Sequence, residues 1–344
     1  MYIDNIEISG FRNLKSKNIF SFENNKNIIF GPNGSGKTSV LEAIYILGFG
    51  RSFLNVKKND ILNNQSNEFL INSSVIRSNF KFNISASFNK KFSLYLDEEK
   101  TGIAGIGKNL FPLFFSSSDY VSLISSRSGL RKLFDKFIFG TDILYSNDLI
   151  EYKKIIRNKS SLLKQNPDIS HLKGWNKLLA EQVLNITKKR AMFVENINNC
   201  IKKNNIGNLE IKYIESSGEF EIGKDFNFDK VMSILNNILN KEVIYKTPLM
   251  GSHLDKYEIY LDGRVLRLFS SGEKKINLLF VYLAYIDMFL SSRGEYPVFL
   301  VDDYDIAMDK KNTELLISNY PEMQIIATSV RNNKNFENNI KLKV

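Results

Sequence analysis

The stretch "GPNGSGKT", residues Gly31 to Thr38, decides the fold of this 344-residue chain. It matches the pattern G-x-x-x-x-G-K-[ST], in which x is any residue. A short, mostly apolar segment, Lys26–Phe30, reads as a strand and precedes it, and a segment with helical periodicity runs from Thr38 to about Leu47. The order of strand, glycine-rich loop and helix distinguishes a phosphate-binding loop from a glycine-rich turn that only caps a helix. The sequence therefore predicts an α/β fold with a phosphate site at the end of a buried strand.

The residue types in this loop suit a nucleoside triphosphate bound together with a metal ion. Glycines let the backbone curl so that successive N–H groups point at phosphate oxygens, and the N-terminus of the following helix adds about half a positive charge. Lys37 is expected to reach the β- and γ-phosphates, and the Thr38 hydroxyl is expected to ligate Mg²⁺. We therefore predict ATP and Mg²⁺ as cofactors. The predicted phosphate-binding residues are Gly31, Pro32, Asn33, Gly34, Ser35, Gly36, Lys37 and Thr38.

Near the other end of the chain, two carboxylates follow an unbroken apolar run in "VFLVDD", residues 298–303. Neighbouring carboxylates at the end of a buried strand repel each other and are costly to remove from water. A magnesium ion beside the phosphate loop would offset that cost, so Asp302 is predicted to hold the metal together with Thr38. Asp303 is predicted to face the γ-phosphate and to orient or deprotonate an attacking water, which makes Asp303 and Lys37 the expected catalytic residues. The alternative is that the two aspartates only begin a loop and cap the next helix.

A third motif, "FSSGEKK", occupies residues 269–275. Ser270 followed three residues later by Glu273 is a capping box, which predicts the start of a helix. Gly272 in the first turn of that helix is unfavourable by up to ~1 kcal/mol relative to alanine. A glycine is suited to this position if another molecule must approach the backbone closely. The serine hydroxyl, the exposed N–H groups and the helix dipole together predict a second phosphate site at Ser270 and Gly272.

The periodicity of the apolar residues divides the chain into parts of different architecture. Alternation of apolar and polar residues in 2–11 and 69–96 predicts antiparallel strands. From residue 130 to about 240 the period becomes helical, apart from one predicted strand at 209–214. An α/β core is therefore expected at both ends of the chain, split by a helical insertion. The predicted domains are a discontinuous head, residues 1–120 and 245–344, and a helical lobe, residues 121–244.

Bulk properties limit the location and the partners of the protein. The longest apolar stretch, residues 276–290, is short for a membrane span and carries Asp287, so it is expected to be a buried helix. A single cysteine and the lack of a signal-peptide pattern predict a cytoplasmic protein without a membrane partner. The net charge of +10 suggests a polyanionic partner such as nucleic acid. Because an AT-rich coding sequence also enriches lysine, the charge alone does not decide this point.

The order of these motifs resembles that of the ABC/SMC class of ATPases, in which two head domains sandwich two ATP molecules. Over nearly its full length the chain is also similar to the RecF family of bacterial recombination mediators. The similarity is carried by "IEISGFRNLKS" (6–16) and by "GPNGSGKTSVLEAIYILGFGRSF" (31–53). Weaker matches are "GWNKLLAE" (174–181) and "GSHLDKYEI" (251–259), and the double aspartate at 302–303 also favours this family.

The resemblance implies a function. ATP would bridge a homodimer, with Ser270 and Gly272 of one subunit touching the γ-phosphate held by the other. The closed dimer would clamp double-stranded DNA near single-strand gaps and, with RecO and RecR, help RecA to load; slow ATP hydrolysis would reopen it. Arg12, in the first of the matching segments, would help to bind the nucleotide, although a plain surface arginine fits the pattern equally well.

Several positions depart from the family pattern, and two alternative functions also stay open. Glu273 stands where the family usually has glutamine, Phe114 occupies a segment that lacks a γ-phosphate-sensing glutamine, and Thr328 replaces a histidine. Residues 306–309, "IAMD", replace Ser-Glu-Leu-Asp at the expected dimer contact. One alternative is an ABC-type ATPase that regulates a phage-defence effector. The other is a head that binds ATP without hydrolysing it and acts as a structural switch.

Overall fold

The protein divides into two compact units. The first unit contains residues 1–120 and 289–344, and the second contains residues 121–288. The sequence analysis placed the second boundary between the units before residue 245 instead of before residue 289, and that division stays a prediction. The computed structural model describes residues 1–54, 56–116, 120–126, 128–165, 168–204, 208–218, 226–307 and 316–342.

The helices and strands lie in three consecutive blocks along the chain. Residues 2 to 116 form β1 (Tyr2–Ser9), β2 (Asn18–Ser21), β3 (Lys26–Phe30), α1 (Lys37–Phe49), β4 (Phe69–Arg77), β5 (Phe80–Asn89), β6 (Lys91–Leu96), β7 (Glu99–Thr101), α2 (Ile103–Gly107) and β8 (Pro112–Ser116). Next come α3 (Tyr120–Ser125), α4 (Gly129–Thr141), α5 (Tyr145–Leu163), α6 (Ile169–Lys203), β9 (Leu209–Ile214), α7 (Phe228–Asn237), α8 (Leu239–Tyr245), β10 (Lys256–Leu261), β11 (Arg264–Val265) and α9 (Ser271–Arg293). The last elements are β12 (Val298–Asp302), α10 (Tyr304–Ala307), β13 (Ile325–Ser329) and β14 (Asn338–Lys341).

A five-stranded parallel sheet in the first unit positions the predicted nucleotide site. Its strand order is β14-β3-β13-β12-β8, and every pairing is parallel. All residues of β12 and β13 are buried, as expected of parallel strands covered on both faces. Because β13 lies between β3 and β12, the glycine loop after β3 and the aspartates of β12 emerge side by side at one edge of the sheet.

The first unit also contains a six-stranded antiparallel sheet in the order β2-β1-β4-β5-β6-β7. It confirms the antiparallel meander predicted for residues 69–96. Strands β4 and β5 pair Phe69 with Phe88, and the rings of this pair stack with centroids 5.7 Å apart. Ile6, Ile71 and Ile84 of this sheet are completely buried, so its apolar residues contribute to the core of the unit.

The second unit consists mainly of helices α4 to α8 and a three-stranded sheet in the order β11-β10-β9. The strand predicted at Leu209–Ile214 is confirmed at its predicted bounds. Strands β10 and β11 pair as an antiparallel hairpin. Its two turn residues, Asp262 and Gly263, have φ of 48° and 74°. Positive φ at both central residues is the requirement of the tight turn that matches the twist of paired strands.

Helix α9 begins in the second unit and ends in the first. It is long and apolar enough to cross a membrane by length and composition, but 61% of its most apolar window is buried inside the protein. Leu278, Val281 and Ile286 are completely buried. The buried helix predicted for this stretch is therefore confirmed, and its apolar side chains belong to the core.

Candidate nucleotide site

The glycine loop connects β3 to the N-terminus of α1, as its sequence pattern predicts. Gly36, which immediately precedes α1, has φ of 96°, a conformation that side-chain-bearing residues rarely adopt. A Cβ atom at Gly36 would also lie 2.9 Å from Oδ1 of Asn13. At the other end of the loop, a Cβ atom at Gly31 would lie 2.6 Å from the carbonyl oxygen of Leu342. Both positions therefore require glycine for the loop to keep its shape.

Lys37 lies at the start of α1 with its ammonium turned back over the loop. Its Nζ donates to the carbonyl oxygens of Gly31 at 2.8 Å and Pro32 at 2.9 Å. The residue is only 6% exposed, and no carboxylate pairs with it in the described part of the chain. Charge-assisted bonds to phosphate are stronger than bonds to neutral carbonyls. An incoming phosphate can therefore replace these carbonyls as the partner of Lys37.

Thr38 and Asp302 meet across the edge of the sheet, although 264 residues separate them in the sequence. The Thr38 hydroxyl donates to Asp302, with Oγ1 3.0 Å from Oδ1 and 3.2 Å from Oδ2. The Thr328 hydroxyl donates to the same Oδ1 at 2.6 Å. Burial raises the pKa of Asp302, and the neighbouring charge of Asp303 raises it further, whereas the bonds from Thr328 and Thr38 oppose this.

The chemistry of these groups fits Mg²⁺ bound together with a nucleotide. Mg²⁺ prefers oxygen ligands, and proteins commonly hold it through one or two carboxylates plus the phosphates of a substrate. Asp302 and Thr38 supply one carboxylate and one hydroxyl at the loop. Among the described residues, no group of three or more His, Cys, Asp or Glu side chains is suited to hold a metal by itself. The predicted metal site therefore depends on phosphate oxygens as further ligands.

Asp303 follows Asp302 at the end of β12 and is exposed. Its φ of 49° lies in the left-handed region. Its backbone N–H donates to Thr328 Oγ1 at 2.9 Å. Asp303 lines a cleft of about 890 Å³. The loop residues that line the same cleft are Asn33, Gly34, Gly36, Lys37 and Thr38. The predicted catalytic pair, Lys37 and Asp303, therefore borders the same cleft.

Arg12 lines the same cleft, but it is not a plain surface arginine. Its Nε and Nη2 each donate to the carboxylate of Glu42 at 2.8 Å, and its Nη1 donates to the carbonyl of Asp60 at 3.0 Å. Glu42 lies on α1 and is almost completely buried, and the Ser52 hydroxyl also bonds to it. Hydrogen bonding to Glu42 raises the pKa of Arg12. Through its bonds to Glu42, Arg12 connects this wall of the cleft to α1. Contact between Arg12 and a nucleotide stays a prediction.

Asn13 is a structural part of the site that the sequence analysis did not identify. Its Nδ2 donates to the carbonyl of Gly34 at 2.7 Å, and its Oδ1 accepts from the Ser39 hydroxyl at 3.1 Å. One amide side chain therefore ties the glycine loop to α1 from outside. The only feature of the sequence that could have indicated this role is the position of Asn13 directly after Arg12, in the first segment that resembles the RecF family.

The third motif forms the N-terminus of α9 in the second unit. The Ser270 hydroxyl and backbone N–H both donate to Glu273 Oε2, at 2.6 and 3.0 Å, and the Glu273 N–H lies 3.4 Å from Ser270 Oγ. The predicted capping box is confirmed. Ser271, Gly272 and Glu273 are exposed, and a Cβ atom at Gly272 would meet nothing within 4 Å. The surroundings of Gly272 within the chain therefore do not require a glycine.

The structure shows the surroundings of two residues that depart from the family pattern, Phe114 and Ile306. Phe114 stacks on Phe53, with ring centroids 3.8 Å apart and planes inclined by 9°. Ile306 is 65% exposed on the short helix α10. Met308 and Asp309, the remainder of the expected dimer contact, lie outside the described residues.

Comparison with known proteins identifies relatives over the whole chain. Residues 2–105 match the family model described as the RecF/RecN/SMC N terminal domain. The DNA replication and repair protein RecF of Carboxydothermus hydrogenoformans is 30% identical over 326 residues, which cover 92% of this chain and 90% of that protein. The similarity therefore extends well beyond the phosphate loop.

Two solved structures share the fold. A structure of the recombination mediator protein RecF with ATP, in the RecFOR pathway, has a TM-score of 0.89 at 26% identity and covers 97% of this chain and 93% of its own. An SMC head bound to the C-winged helix domain of ScpA has a TM-score of 0.55 at 15% identity and covers 99% and 94%. The second likeness concerns the fold alone.

These likenesses confirm the predicted fold class, an α/β ABC-type P-loop ATPase head with an inserted, mostly helical lobe. They also confirm the resemblance carried by the glycine loop and the first strand. With 30% identity over nine-tenths of both proteins, the chain belongs to the RecF family of DNA replication and repair proteins.

Proposed function

We propose that this protein is an ATP-gated DNA-binding protein of recombinational repair, with ATP and Mg²⁺ in the cleft of the first unit. The observation that carries the proposal is the convergence of Thr38 and Asp302, 3.0 Å apart, beside the buried ammonium of Lys37. A cation, a hydroxyl and a carboxylate at one end of a glycine loop are the groups that a nucleoside triphosphate with its metal requires. The solved RecF structure with ATP supports ATP as the nucleotide.

Two copies of the chain would close on the nucleotide. The exposed turn at Ser270 and Gly272 would contact the γ-phosphate that the partner copy holds at its loop. The open space around Gly272 supports this proposal, because another molecule can approach the backbone there without a clash. When bound, Mg²⁺ would neutralise phosphate charge. Lys37 would hold the phosphates, and Asp303 would orient the attacking water in a slow hydrolysis that separates the copies.

The closed dimer would clamp double-stranded DNA near single-strand gaps through contacts to backbone phosphates. Such binding is independent of sequence and weakens with salt, and the net charge of +10 supports it. The solved RecF structure is assigned to the RecFOR pathway. We propose that RecO and RecR are also partners of this chain, and that together they help RecA to load. Such a role would place the protein in the cytoplasm.

The test measures binding of purified protein to gapped double-stranded DNA with and without ATP. Lys37→Met removes the cation of the loop, and Lys91→Met is the matched control, because Lys91 is an exposed lysine of β6 outside the cleft. We expect ATP to raise the DNA affinity of the wild type and the control by roughly tenfold or more, a coupling of ordinary size between two sites. Lys37→Met is expected to show no such increase. An ATP-independent DNA affinity and oligomeric state in the wild type would overturn the proposal.

A second candidate function is an ATP-binding switch without hydrolysis. The stacking of Phe114 on Phe53 favours it, because an aromatic pair occupies a segment where a glutamine was expected to sense the γ-phosphate. Phosphate release decides between the two functions. Release that disappears in Asp303→Asn excludes the switch, whereas no release from the wild type excludes the hydrolytic cycle. Membership of the RecF family favours DNA repair over regulation of a phage-defence effector.

A further inference from the structure

We propose that Thr328 is a positioning residue that sets the geometry of both aspartates of the nucleotide site with one hydroxyl group. The inference rests on the proposed function, in which Asp302 helps to hold the metal and Asp303 faces the γ-phosphate. Thr328 belongs to β13. The sequence analysis noted it only as a residue that replaces a histidine of the family pattern.

The position of Thr328 follows from the parallel pairing of β13 with β12, in which Ala327 lies opposite Val301. The next residues along the two strands are Thr328 and Asp302, at the edge of the sheet where the glycine loop emerges. Thr328 is completely buried. Its hydroxyl group is therefore shielded from bulk water and depends on the protein for its hydrogen bonds.

The hydroxyl of Thr328 has a partner on each aspartate. It donates to Asp302 Oδ1 at 2.6 Å and accepts the backbone N–H of Asp303 at 2.9 Å. A hydroxyl group offers one donor and two acceptor positions, so these two bonds use the donor and one acceptor. Valine has the same shape as threonine but can make neither bond.

The bond to Asp302 fixes the direction of a metal-binding carboxylate. The Thr38 hydroxyl contacts both carboxylate oxygens, at 3.0 and 3.2 Å, whereas Thr328 contacts only Oδ1. Because Thr328 binds only one of the two oxygens, its hydrogen bond favours a single orientation of the Asp302 carboxylate group, in which both oxygens face Thr38. Partners of this kind orient a metal ligand and strengthen metal binding without touching the metal.

The bond to Asp303 fixes an unfavourable backbone. The φ of 49° at Asp303 is in the left-handed region, which aspartate adopts more readily than most residues but which still costs free energy unless neighbouring groups support it. The Thr328 hydroxyl accepts the N–H of this residue, and the carbonyl of Asp303 accepts the N–H of Ile306 at 2.9 Å. Hydrogen bonds on both sides of the Asp303 backbone therefore hold the residue in this conformation.

A purely structural role for Thr328 makes a different prediction. A buried hydroxyl that only satisfies its neighbours would lower the stability of the fold when removed, without changing the metal dependence of the site. The decisive measurement is therefore the Mg²⁺ concentration that gives half-maximal binding of a fluorescent, non-hydrolysable ATP analogue, at protein concentrations too low for the protein to dimerise. This measurement requires neither DNA, dimerisation nor hydrolysis.

Thr328→Val is expected to raise that Mg²⁺ midpoint by roughly tenfold, the lower end of the loss seen when a partner of a metal ligand is removed. Binding of the analogue without Mg²⁺ should change much less. Thr328→Ser keeps the hydroxyl and is expected to restore the wild-type midpoint. If Thr328→Val does not fold, Thr328→Ala is the second variant, and the midpoint should shift in the same direction.

Thr187→Val is the matched control. Thr187 is a completely buried threonine of α6, and its hydroxyl accepts a hydrogen bond from Tyr213 at 3.3 Å. The control removes the same hydroxyl from the second unit and should leave the Mg²⁺ midpoint unchanged. A wild-type midpoint in the folded Thr328 variants would overturn the positioning role while the proposed function stands. A wild type that does not bind the analogue with Mg²⁺ would overturn both.

Discussion

Glu273 places a negative charge at the N-terminal turn of α9, beside the proposed γ-phosphate contact of Ser270. Hydrogen bonds from Ser270 lower the pKa of Glu273, so the carboxylate stays ionised at neutral pH. Glu273→Gln keeps an acceptor for Ser270 but removes the charge that would repel a phosphate. We expect the ATP-dependent dimer to tighten by about two- to fivefold, the size typical of an exposed charge interaction, and the gain to shrink as salt is added.

Analytical ultracentrifugation with a non-hydrolysable ATP analogue measures this change. Glu99→Gln, at an exposed glutamate of β7, is the control and should leave the dimer unchanged. Weaker dimerisation of Glu273→Gln would mean that the negative charge supports the contact and is not repelled by it.

Arg12 stabilises the fold through Glu42 in addition to any contact with a nucleotide. Arg12→Ala leaves the carboxylate of Glu42, which is only 1% exposed, without its cation. We expect a loss of about 2 kcal/mol in the free energy of unfolding, below the value for a fully buried pair because the guanidinium is partly exposed. Urea denaturation checks the value, and Glu42→Gln in the Arg12→Ala background should recover part of it. Unchanged stability in Arg12→Ala would contradict the structural role.

The residues of the site differ in how well the sequence predicted them. The glycine loop is a contiguous pattern whose chemistry is local, and the structure keeps its strand-loop-helix context. Asn13 and Thr328 were not identified as parts of the site because their roles depend on partners brought close only by folding. Thr328 and Asp302 meet through strand pairing, and Asn13 reaches Gly34 across the turn that follows β1.

At the level of elements, two glycines at helix N-terminal regions should respond oppositely to alanine. Gly36 precedes α1 with φ of 96°, and a Cβ atom there would lie 2.9 Å from Asn13 Oδ1, so Gly36→Ala should cost about 1–2 kcal/mol and abolish binding of the ATP analogue. Gly174 lies within α6, and a Cβ atom there would meet nothing within 4 Å. Gly174→Ala should therefore stabilise the protein by about 0.5–1 kcal/mol and leave binding unchanged. Thermal unfolding with and without the analogue tests both, and similar effects of the two changes would contradict the account.

The second unit should lose stability in acid through His253. Burial, and then the positive charges of Arg131, Lys159 and Arg190, lower the pKa of His253 from 6.5 to about 4. The unfolded chain takes up a proton below pH 6.5, whereas the folded protein does so only near pH 4, so stability is lost as the pH falls through this range. The loss should approach about 3 kcal/mol.

Urea denaturation of the wild type and His253→Gln between pH 4 and 7 isolates this contribution from other titrating groups. The difference in unfolding free energy between the two proteins should decrease as the pH falls. A difference that does not change with pH would contradict the neutral, buried state of His253, which shares a hydrogen bond with the Tyr152 hydroxyl at 2.5 Å.

Elements with strong apolar patterns were predicted well, and short edge strands were not. Strand β3 has the predicted bounds, and its last three residues, Ile28 to Phe30, form a short apolar run directly before the glycine loop. Strand β14, "NNIK", has no such pattern and pairs with β3 at the edge of the parallel sheet. Its strand conformation depends on main-chain bonds to a segment more than 300 residues away, which local sequence cannot indicate.

At the scale of the whole molecule, the central claim is that ATP joins two copies of the chain, each supplying a different half of the site. Lys37 and Ser270 would act on the same nucleotide from opposite subunits. Lys37→Met destroys the phosphate loop and leaves the Ser270 turn intact, whereas Ser270→Arg blocks the turn and leaves the loop intact. Either variant alone should stay monomeric with nucleotide. A mixture should form heterodimers, because one of the two composite sites is then complete.

The most direct measurement is therefore the mass in solution, by light scattering, of each variant and of their equimolar mixture with Mg²⁺ and a non-hydrolysable ATP analogue. We expect the monomer mass of 39.6 kDa for each variant alone and a species of twice that mass in the mixture and in the wild type. A wild type that stays at the monomer mass when saturated with nucleotide, or a mixture that never dimerises although the wild type does, would contradict the central claim.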